Sequence, residues 1–213
     1  MFQRLYNDMM ADIDYSRIME WMRPYLHLSD VVVDAGCGPG YVMLELIQSG
    51  YHVIGLDIDG AMLAIAKDKL ESYGHHGVLY EHDLRTPMRV KVDVIYALFD
   101  VMNYFKGTKK VIKNIYHALN KGGRFLFDIY QESLLETYQD YEESDDEQVS
   151  YRWTIKRKQN QLIHCVQTDH GTYRLNQYLY PLSYYTEQLR EVGFKVDINK
   201  GPDERKHYII AYK

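Results

Sequence analysis

Val31-Val32-Val33-Asp34-Ala35-Gly36-Cys37-Gly38-Pro39-Gly40-Tyr41 is the stretch that decides the fold. Three consecutive valines are expected of a parallel strand buried on both faces. Glycines follow at once, and a helix-like segment from Tyr41 to Ser49 ends at Gly50. Downstream the alternation continues. His52 to Asp57 reads as a second strand, and Asp59 is placed to cap a helix with Met62, Leu63 and Ala66 on one face before Gly74. Val78 to Asp83, Val92 to Phe99 and Arg124 to Tyr130 read as strands three, four and five. A helix from Thr108 to Asn120 joins the last two. Strand, helix, strand, helix predicts right-handed parallel crossovers in a doubly wound α/β sheet.

The rhythm then breaks. Asp140 to Glu147 is a run of acids and reads as a solvated loop or helix end. Val149, Tyr151, Trp153 and Ile155 alternate with polar residues, as a half-buried antiparallel strand does. Gln159-Asn160-Gln161 reads as its turn, Leu162 to Thr168 as its partner, and Tyr173 to Tyr180 as a third strand after Asp169-His170-Gly171. Pro181 closes the excursion. Ser183 to Val192 reads as a helix, and Phe194 to Asn199 and His207 to Tyr212 as a closing hairpin. The expected organisation is one domain over 1–213: a leader at 1–28, a core at 29–139, a small antiparallel β insert or lid at 140–182, and a last helix and hairpin at 183–213.

Composition removes several classes. A net charge of −5 gives no overall basic field for nucleic acid. No apolar run is long enough to span a membrane, and the first residues lack the pattern of a signal peptide. Two cysteines make no disulfide framework, so a reducing, cytoplasmic setting is expected. Nine histidines show no metal-like spacing, and no metal is expected. His164 and Cys165, as strand neighbours, point to opposite faces and are not expected to form a nucleophile pair. Lys156-Arg157-Lys158 reads as solvated charge. There are 21 tyrosines, an unusual excess.

The glycine turn differs from the dinucleotide fingerprint G-x-G-x-x-G, whose helix amides hold a pyrophosphate. Its third glycine comes one residue early, Pro39 removes an amide donor, and Asp34 places a carboxylate where phosphates are repelled. A cationic ligand suits it better. S-adenosyl-L-methionine carries a sulfonium, an ammonium and an adenosine, but no phosphate. Asp57, ending the second strand, is positioned for the ribose hydroxyls. Asp83, ending the third, is placed for the adenine amino group beside Leu84, and Phe99 for a wall of the site.

Val31 to Tyr41 (VVVDAGCGPGY), Leu56 to Leu63 (LDIDGAML) and His82-Asp83-Leu84 resemble the cofactor-binding motifs of class I S-adenosylmethionine-dependent methyltransferases. The resemblance spans most of the first 130 residues, including Leu119-Asn120-Lys121-Gly122-Gly123. The start, Tyr6-Asn7-Asp8-Met9-Met10 through Asp14-Tyr15, is similar to the leader of a group of small bacterial methyltransferases. That group often reads Y-D-x-L-M; this chain has Asn7 and Met9 at the second and fourth positions. The resemblance implies a Rossmann-like seven-stranded sheet, mostly parallel, with the C-terminal antiparallel hairpin. It implies cofactor contacts at Asp34, Ala35, Gly36, Cys37, Gly38 and Gly40 in the turn. Further contacts are expected at Asp57, Ile58 and Met62, and at Asp83, Leu84 and Phe99. The leader, packed over the cleft, makes Tyr6 and Tyr15 candidates to touch substrate or cofactor.

Methyl transfer from a sulfonium needs collinear positioning and exclusion of water more than it needs a base. Phe99-Asp100-Val101-Met102-Asn103-Tyr104-Phe105 is the segment that this fold presents to an acceptor. It lacks the N/D-P-P-Y/F motif of many amino-methylases. Asp100 is a candidate base and Asn103 a candidate positioning group, although Asn103 reads equally well as an organiser of its loop. The tyrosine-rich insert is the other recognition candidate, with Tyr6, Asn103 and Tyr178 as expected substrate contacts. Its tyrosines also suit plain strand packing or a homodimer interface. The leading expectation is a methyltransferase acting on a small-molecule acceptor. The alternatives are a nicotinamide oxidoreductase, a catalytically silent cofactor-binding partner protein, and an RNA methyltransferase, the last disfavoured by the acidic balance.

Overall fold

Residues 2–145 and 150–213 are described by a computed structural model, in which the β-branched run at Val31 heads the central strand. Two short helices, α1 (Phe2–Ala11) and α2 (Tyr15–Met22), precede it. Asp14 caps α2 by accepting from the Ser16 amide at 3.1 Å. The crossovers then run β1 (Val31–Ala35), α3 (Tyr41–Gln48), β2 (His52–Asp57), α4 (Gly60–Ser72), β3 (Val78–Glu81), β4 (Val92–Ala97), α5 (Lys109–Ala118) and β5 (Leu119–Tyr130). A helical turn, α6 (Leu134–Thr137), leads into β6 (Tyr141–Asp145), β7 (Tyr151–Lys158), β8 (Gln161–Thr168) and β9 (Gly171–Tyr178). Helix α7 (Leu182–Val192) and strands β10 (Lys195–Asn199) and β11 (Lys206–Tyr212) end the chain.

Among the described residues the strands form two sheets. The larger has seven strands in the order β10-β11-β5-β4-β1-β2-β3. β11 lies antiparallel between β5 and β10, while β5, β4, β1, β2 and β3 are mutually parallel. This is the mostly parallel, Rossmann-like sheet with a C-terminal hairpin that the sequence implies. Strand periodicity sends alternate residues to two separate apolar layers. Val33, Ala35, Ile95, Ala97, Phe125 and Phe127 pack with Val111 and Ile112 of α5 and Tyr185 and Leu189 of α7. Val32, Val94, Tyr96 and Leu126 pack on the other face with Ile18 and Met22 of α2 and Met43 and Leu46 of α3.

β6, β7, β8 and β9 form the second sheet, antiparallel throughout. The acidic run is corrected here: residues 141–145 are a strand, not a loop or helix end. Tyr141 and Glu143 are half-buried while Glu142 and Ser144 are exposed, a period of two that the density of acids concealed. The insert therefore has four strands rather than three. Val149, expected at the start of β7, and residues 146 and 147 of the acidic run lie outside the described residues. β5 also starts earlier than expected, with Leu119 paired to Val92 and an irregularity before Val94. Among the described residues no helix is long and apolar enough to cross a membrane.

Candidate functional site

β1 pairs with β2 on one side and β4 on the other, so the chain's direction of travel reverses between β1 and β4. Ligands of open α/β sheets bind at such a point, outside the carboxyl ends of the strands. The glycine turn after β1 and the Phe99–Asp100 turn after β4 face one another there. A Cβ placed on Gly36, whose φ is +91°, would come within 2.7 Å of Val101. Glycine is what lets the two loops close to this distance.

The turn's amides are spent inside the protein. Those of Gly36 and Cys37 both donate to the Leu56 carbonyl, at 2.7 and 2.9 Å, and that of Gly40 donates to the Cys37 carbonyl at 2.9 Å. Gly38 N donates to Asp57 Oδ2 at 2.8 Å, and Pro39 has no N–H to give. None of residues 36–40 offers a free amide to a phosphate, which argues against a pyrophosphate ligand. Asp57 Oδ1 accepts from the Asp59 amide at 2.9 Å, and Asp59 caps α4 through the Ala61 amide. Burial raises the Asp57 carboxyl while these amides lower it.

A cleft of about 390 Å³ opens beside this turn. Gly36, Cys37 and Gly38 line it with Asp57, Ile58 and Met62. Asp83, Leu84 and Phe99 close its far side, and Phe2, Tyr6 and Met10 of α1 cover it. At Gly38 (φ +50°) a Cβ would find only the Tyr6 ring, 4.0 Å away, so its backbone faces open space. Asp83 is held by Arg85, whose Nε lies 2.9 Å from both its oxygens, and this lowers its carboxyl below the ordinary range. The leader is tied down by Gln3 Nε2 donating to Asp59 Oδ2 at 2.8 Å and by Tyr41 Oη donating to the Asn7 carbonyl at 3.0 Å.

Four of the residues expected to touch the cofactor do not line this cleft. Ala35 is fully buried in the sheet and faces the α5 layer. Gly40 starts α3 in the left-handed region, where its Cβ would strike Ala66 at 2.9 Å, and lies outside the cleft. Asp34 is buried behind the turn. Burial pushes its carboxyl up to about 8, against the nearby Tyr96 hydroxyl, with Asp57 adding to the rise. Burial thus favours the neutral acid at Asp34. Tyr15 shares with Asp34 a void of only about 20 Å³. It stacks on Tyr41 at 5.2 Å and meets the edge of Phe99 at 5.9 Å.

A second cavity, of about 500 Å³, adjoins the first under the insert. Tyr6, Met10, Phe99, Tyr104 and Leu175 line both. Phe99 and Asp100 at the junction have φ values of +60° and +56°, a conformation costing about 1–2 kcal/mol for each L-residue. Asp128 offsets that strain: its carboxylate accepts from the Phe99 amide at 3.1 Å and from the Asp100 amide at 2.5 Å. Lys206 Nζ donates to Asp100 Oδ1 at 2.8 Å and to Asp128 Oδ2 at 3.2 Å, all three groups buried. Burial disfavours the Lys206 ammonium, but the two carboxylates overcome it and raise its pKa well above the ordinary value. Burial raises Asp100 to about 6 against the lowering pull of Lys206.

A hydrogen-bonded chain ties this triad to the insert. Trp153 Nε1 donates to His164 Nδ1 at 3.1 Å, His164 Nε2 lies 2.9 Å from Gln177 Oε1, and Gln177 Nε2 donates to Asp100 Oδ2 at 2.5 Å. Two residues expected to touch substrate have other surroundings. Asn103 is buried and committed: Nδ2 donates to the Tyr178 carbonyl at 3.0 Å, and Oδ1 accepts from the Tyr130 amide at 3.0 Å. It organises its loop. Tyr178 lies outside both cavities, because strand parity sends Leu175 and Gln177 inward and Tyr178 to the opposite face. Asp128, Gln177 and Lys206 were not singled out from sequence, and His164 was weighed only as a partner for Cys165. The inward parity of β8 and β9 could have found His164 and Gln177, but nothing local marks Lys206. Among the described residues no group of three or more His, Cys, Asp or Glu side chains could hold a metal ion.

This topology, with a glycine turn whose amides are spent inside the protein and an acid after the second strand, is that of S-adenosylmethionine-dependent methyltransferases, and the comparisons support that activity. Residues 32–123 match the family described as "Methyltransferase domain". The chain is 26% identical to the putative methyltransferase YqeM of Bacillus subtilis, over 92% of this chain and 85% of that one. Its fold resembles the crystal structure of an S-adenosylmethionine-dependent methyltransferase from Clostridium acetobutylicum (TM-score 0.82, 20% identity, 99% and 97% of the two chains). It also resembles CalS10 from Micromonospora echinaspora, an amino pentose methyltransferase solved with S-adenosylmethionine bound (TM-score 0.73, 18% identity, 99% and 95%).

Proposed function

We propose that this methyltransferase acts on a small-molecule acceptor held in the cavity beneath the insert, with the cofactor in the cleft beside the glycine turn. The observation that carries this reading is the junction at which Tyr6, Met10, Phe99, Tyr104 and Leu175 line both spaces. When bound, S-adenosylmethionine supplies an electrophilic methyl group on a sulfonium. The residues present fit it: Asp57 has lone pairs left for ribose hydroxyls, Gly38 leaves room for a close approach, and Leu84, Met62 and Phe99 offer apolar walls to an adenine and a methionine chain. Asp83 and Ile58 stand at the adenine end. Residues of α1 exclude water from above, and Tyr104 and Phe99 fix the line of approach at the junction. Asp100 serves to position groups around it, since both its oxygens already accept hydrogen bonds.

A cavity with five lining carboxylates supports a small acceptor over RNA. The spent amides of the turn weigh against a nicotinamide dinucleotide. The outward face of the insert carries exposed Arg152, Lys156 and Arg174, which supports a roof over the cavity more than an apolar dimer interface. Free thiols at Cys37 and Cys165 suit a cytosolic setting. Calorimetric titration with S-adenosylmethionine, S-adenosylhomocysteine and NADH tests the reading. Binding of both sulfur ligands and silence from NADH are expected, with the sulfur ligands weakened about tenfold or more in Asp57→Ala. An unchanged affinity in that variant removes Asp57 from the site, and silence from both sulfur ligands overturns the reading.

A further inference from the structure

The charges of the larger cavity do not balance. Asp14, Asp100, Asp128, Glu143 and Asp203 line it, against Arg17, Arg205 and Lys206. Two of the cations already have their acids: Arg205 is paired with Asp203 at 2.8 Å, and Lys206 lies between Asp100 and Asp128; Arg17 and Asp14 offset one another in the count of lining charges. Two negative charges remain. One belongs to the triad, where two carboxylates face a single ammonium. The other is Glu143, whose two oxygens accept from the Tyr141 and Tyr151 hydroxyls and which no ion pair answers among the described residues.

Much of the remaining wall is aromatic: Tyr6, Phe99, Tyr104, Tyr130 and Trp153 line the cavity beside aliphatic side chains such as Ile13 and Leu175. Carboxylates set among aromatic rings attract ammonium groups and repel anions. The chain demonstrates this with its own Lys206, whose ammonium lies 5.4 Å from the Phe99 ring centroid and 4.8 Å from that of Tyr130. It stays charged there although it is buried.

From this we infer that the acceptor is an amine, and that Glu143 is the residue that selects it by charge. The inference rests on the proposed function, because it assigns the larger cavity to the acceptor. The chemistry is consistent with it. A free-base nitrogen forms the new N–C bond as the C–S bond breaks, and the electron pair of that bond stays on sulfur. The positive charge therefore passes from sulfur to nitrogen, into the space where the carboxylates are in excess. The proton that the amine carries in solution leaves to water before the step.

The test uses the full chain saturated with S-adenosylhomocysteine and two probes of similar size and opposite charge, benzyltrimethylammonium and phenylacetate, followed by calorimetry. The ammonium is expected to bind at least about tenfold more tightly than the carboxylate, and Glu143→Gln is expected to remove most of that preference. Affinity for S-adenosylhomocysteine is expected to stay unchanged in the variant, which shows that it is folded. Equal or tighter binding of phenylacetate, or a cation preference untouched by Glu143→Gln, overturns the inference while leaving the methyltransferase reading in place. Failure of S-adenosylhomocysteine to bind the unaltered chain overturns both.

Discussion

Gln177 Nε2 donates to Asp100 Oδ2 at 2.5 Å, joining the last strand of the insert to the turn after β4 across 77 positions of sequence. That contact gives the whole chain of polar groups a direction. The Trp153 indole can only donate, so His164 Nδ1 must accept and Nε2 must carry the proton to Gln177 Oε1. The amide of Gln177 is thereby oriented with its NH2 toward Asp100. The two sheets share one continuous polar connection, and its first link, from Trp153 to His164 Nδ1, depends on a neutral imidazole.

Burial lowers the His164 pKa to about 4, against the stabilising contact with Gln177. A histidine depressed in the folded state contributes no penalty above its unfolded value near 6.5, and stability is lost as pH falls from there toward about 4. Urea midpoints at pH 7 and pH 5 should therefore fall more steeply on acidification for the unaltered chain than for His164→Gln, which cannot titrate. Equal loss in both proteins counts against the neutral-imidazole connection.

Asp34 has the opposite sign. Its carboxyl is raised by burial to about 8, so the folded state holds the proton more tightly than the unfolded one. The resulting stability is fully present below about pH 4, declines as pH rises, and is gone above about pH 8. Asp34→Asn, neutral throughout, should be more stable than the unaltered chain at pH 8 and show little difference at pH 4. A calorimetric melting series across that range measures the gap. A gap of constant size would show that Asp34 is ionised in the fold.

The close approach of Gly36 to Val101 predicts a paired effect. Gly36→Ala should cost about 1–3 kcal/mol, from a Cβ forced into Val101 and from an L-residue held at positive φ. Adding Val101→Ala should return the steric share and leave the conformational one. Denaturant titration of the two variants separates these parts. Full additivity would mean that the loops move apart freely.

Lys206→Met should cost about 3–5 kcal/mol, because it leaves two carboxylates buried side by side with no ammonium between them. Combining it with Asp100→Asn should recover much of that loss by removing one charge. Urea unfolding of the single and double variants provides the cycle.

Much of the architecture was legible because parallel strands buried on both faces are written as short apolar runs, and Val31-Val32-Val33 is one. The glycine turn could be interpreted because Pro39 and the early Gly40 are local departures from a known pattern. Strand β6 was hidden for a physical reason. Its inward residues are Tyr141 and Glu143, and an inward glutamate whose oxygens accept from two tyrosine hydroxyls leaves no apolar alternation to detect. Tyr178 was chosen for its chemistry when parity should have decided, since the same strand sends Gln177 inward. The triad of Asp100, Asp128 and Lys206 had no local signature. Its members meet only because β11 inserts beside β5, pairing Lys206 with Tyr130, and that order of strands is a property of the folded sheet.

The connection from Trp153 to Asp128 also bears on how this chain could diverge. An insert that merely lay across the cavity could be exchanged for another of similar shape, and acceptor preference would change with it. Here the roof carries His164 and Gln177, and the floor carries Asp100 with its ammonium partner. A transplanted insert lacking that glutamine would leave a carboxylate oxygen without its donor at the junction of the two spaces. Roof and floor are therefore expected to change in step over descent, and a chimera should regain order only when residues 100, 164 and 177 travel as a set.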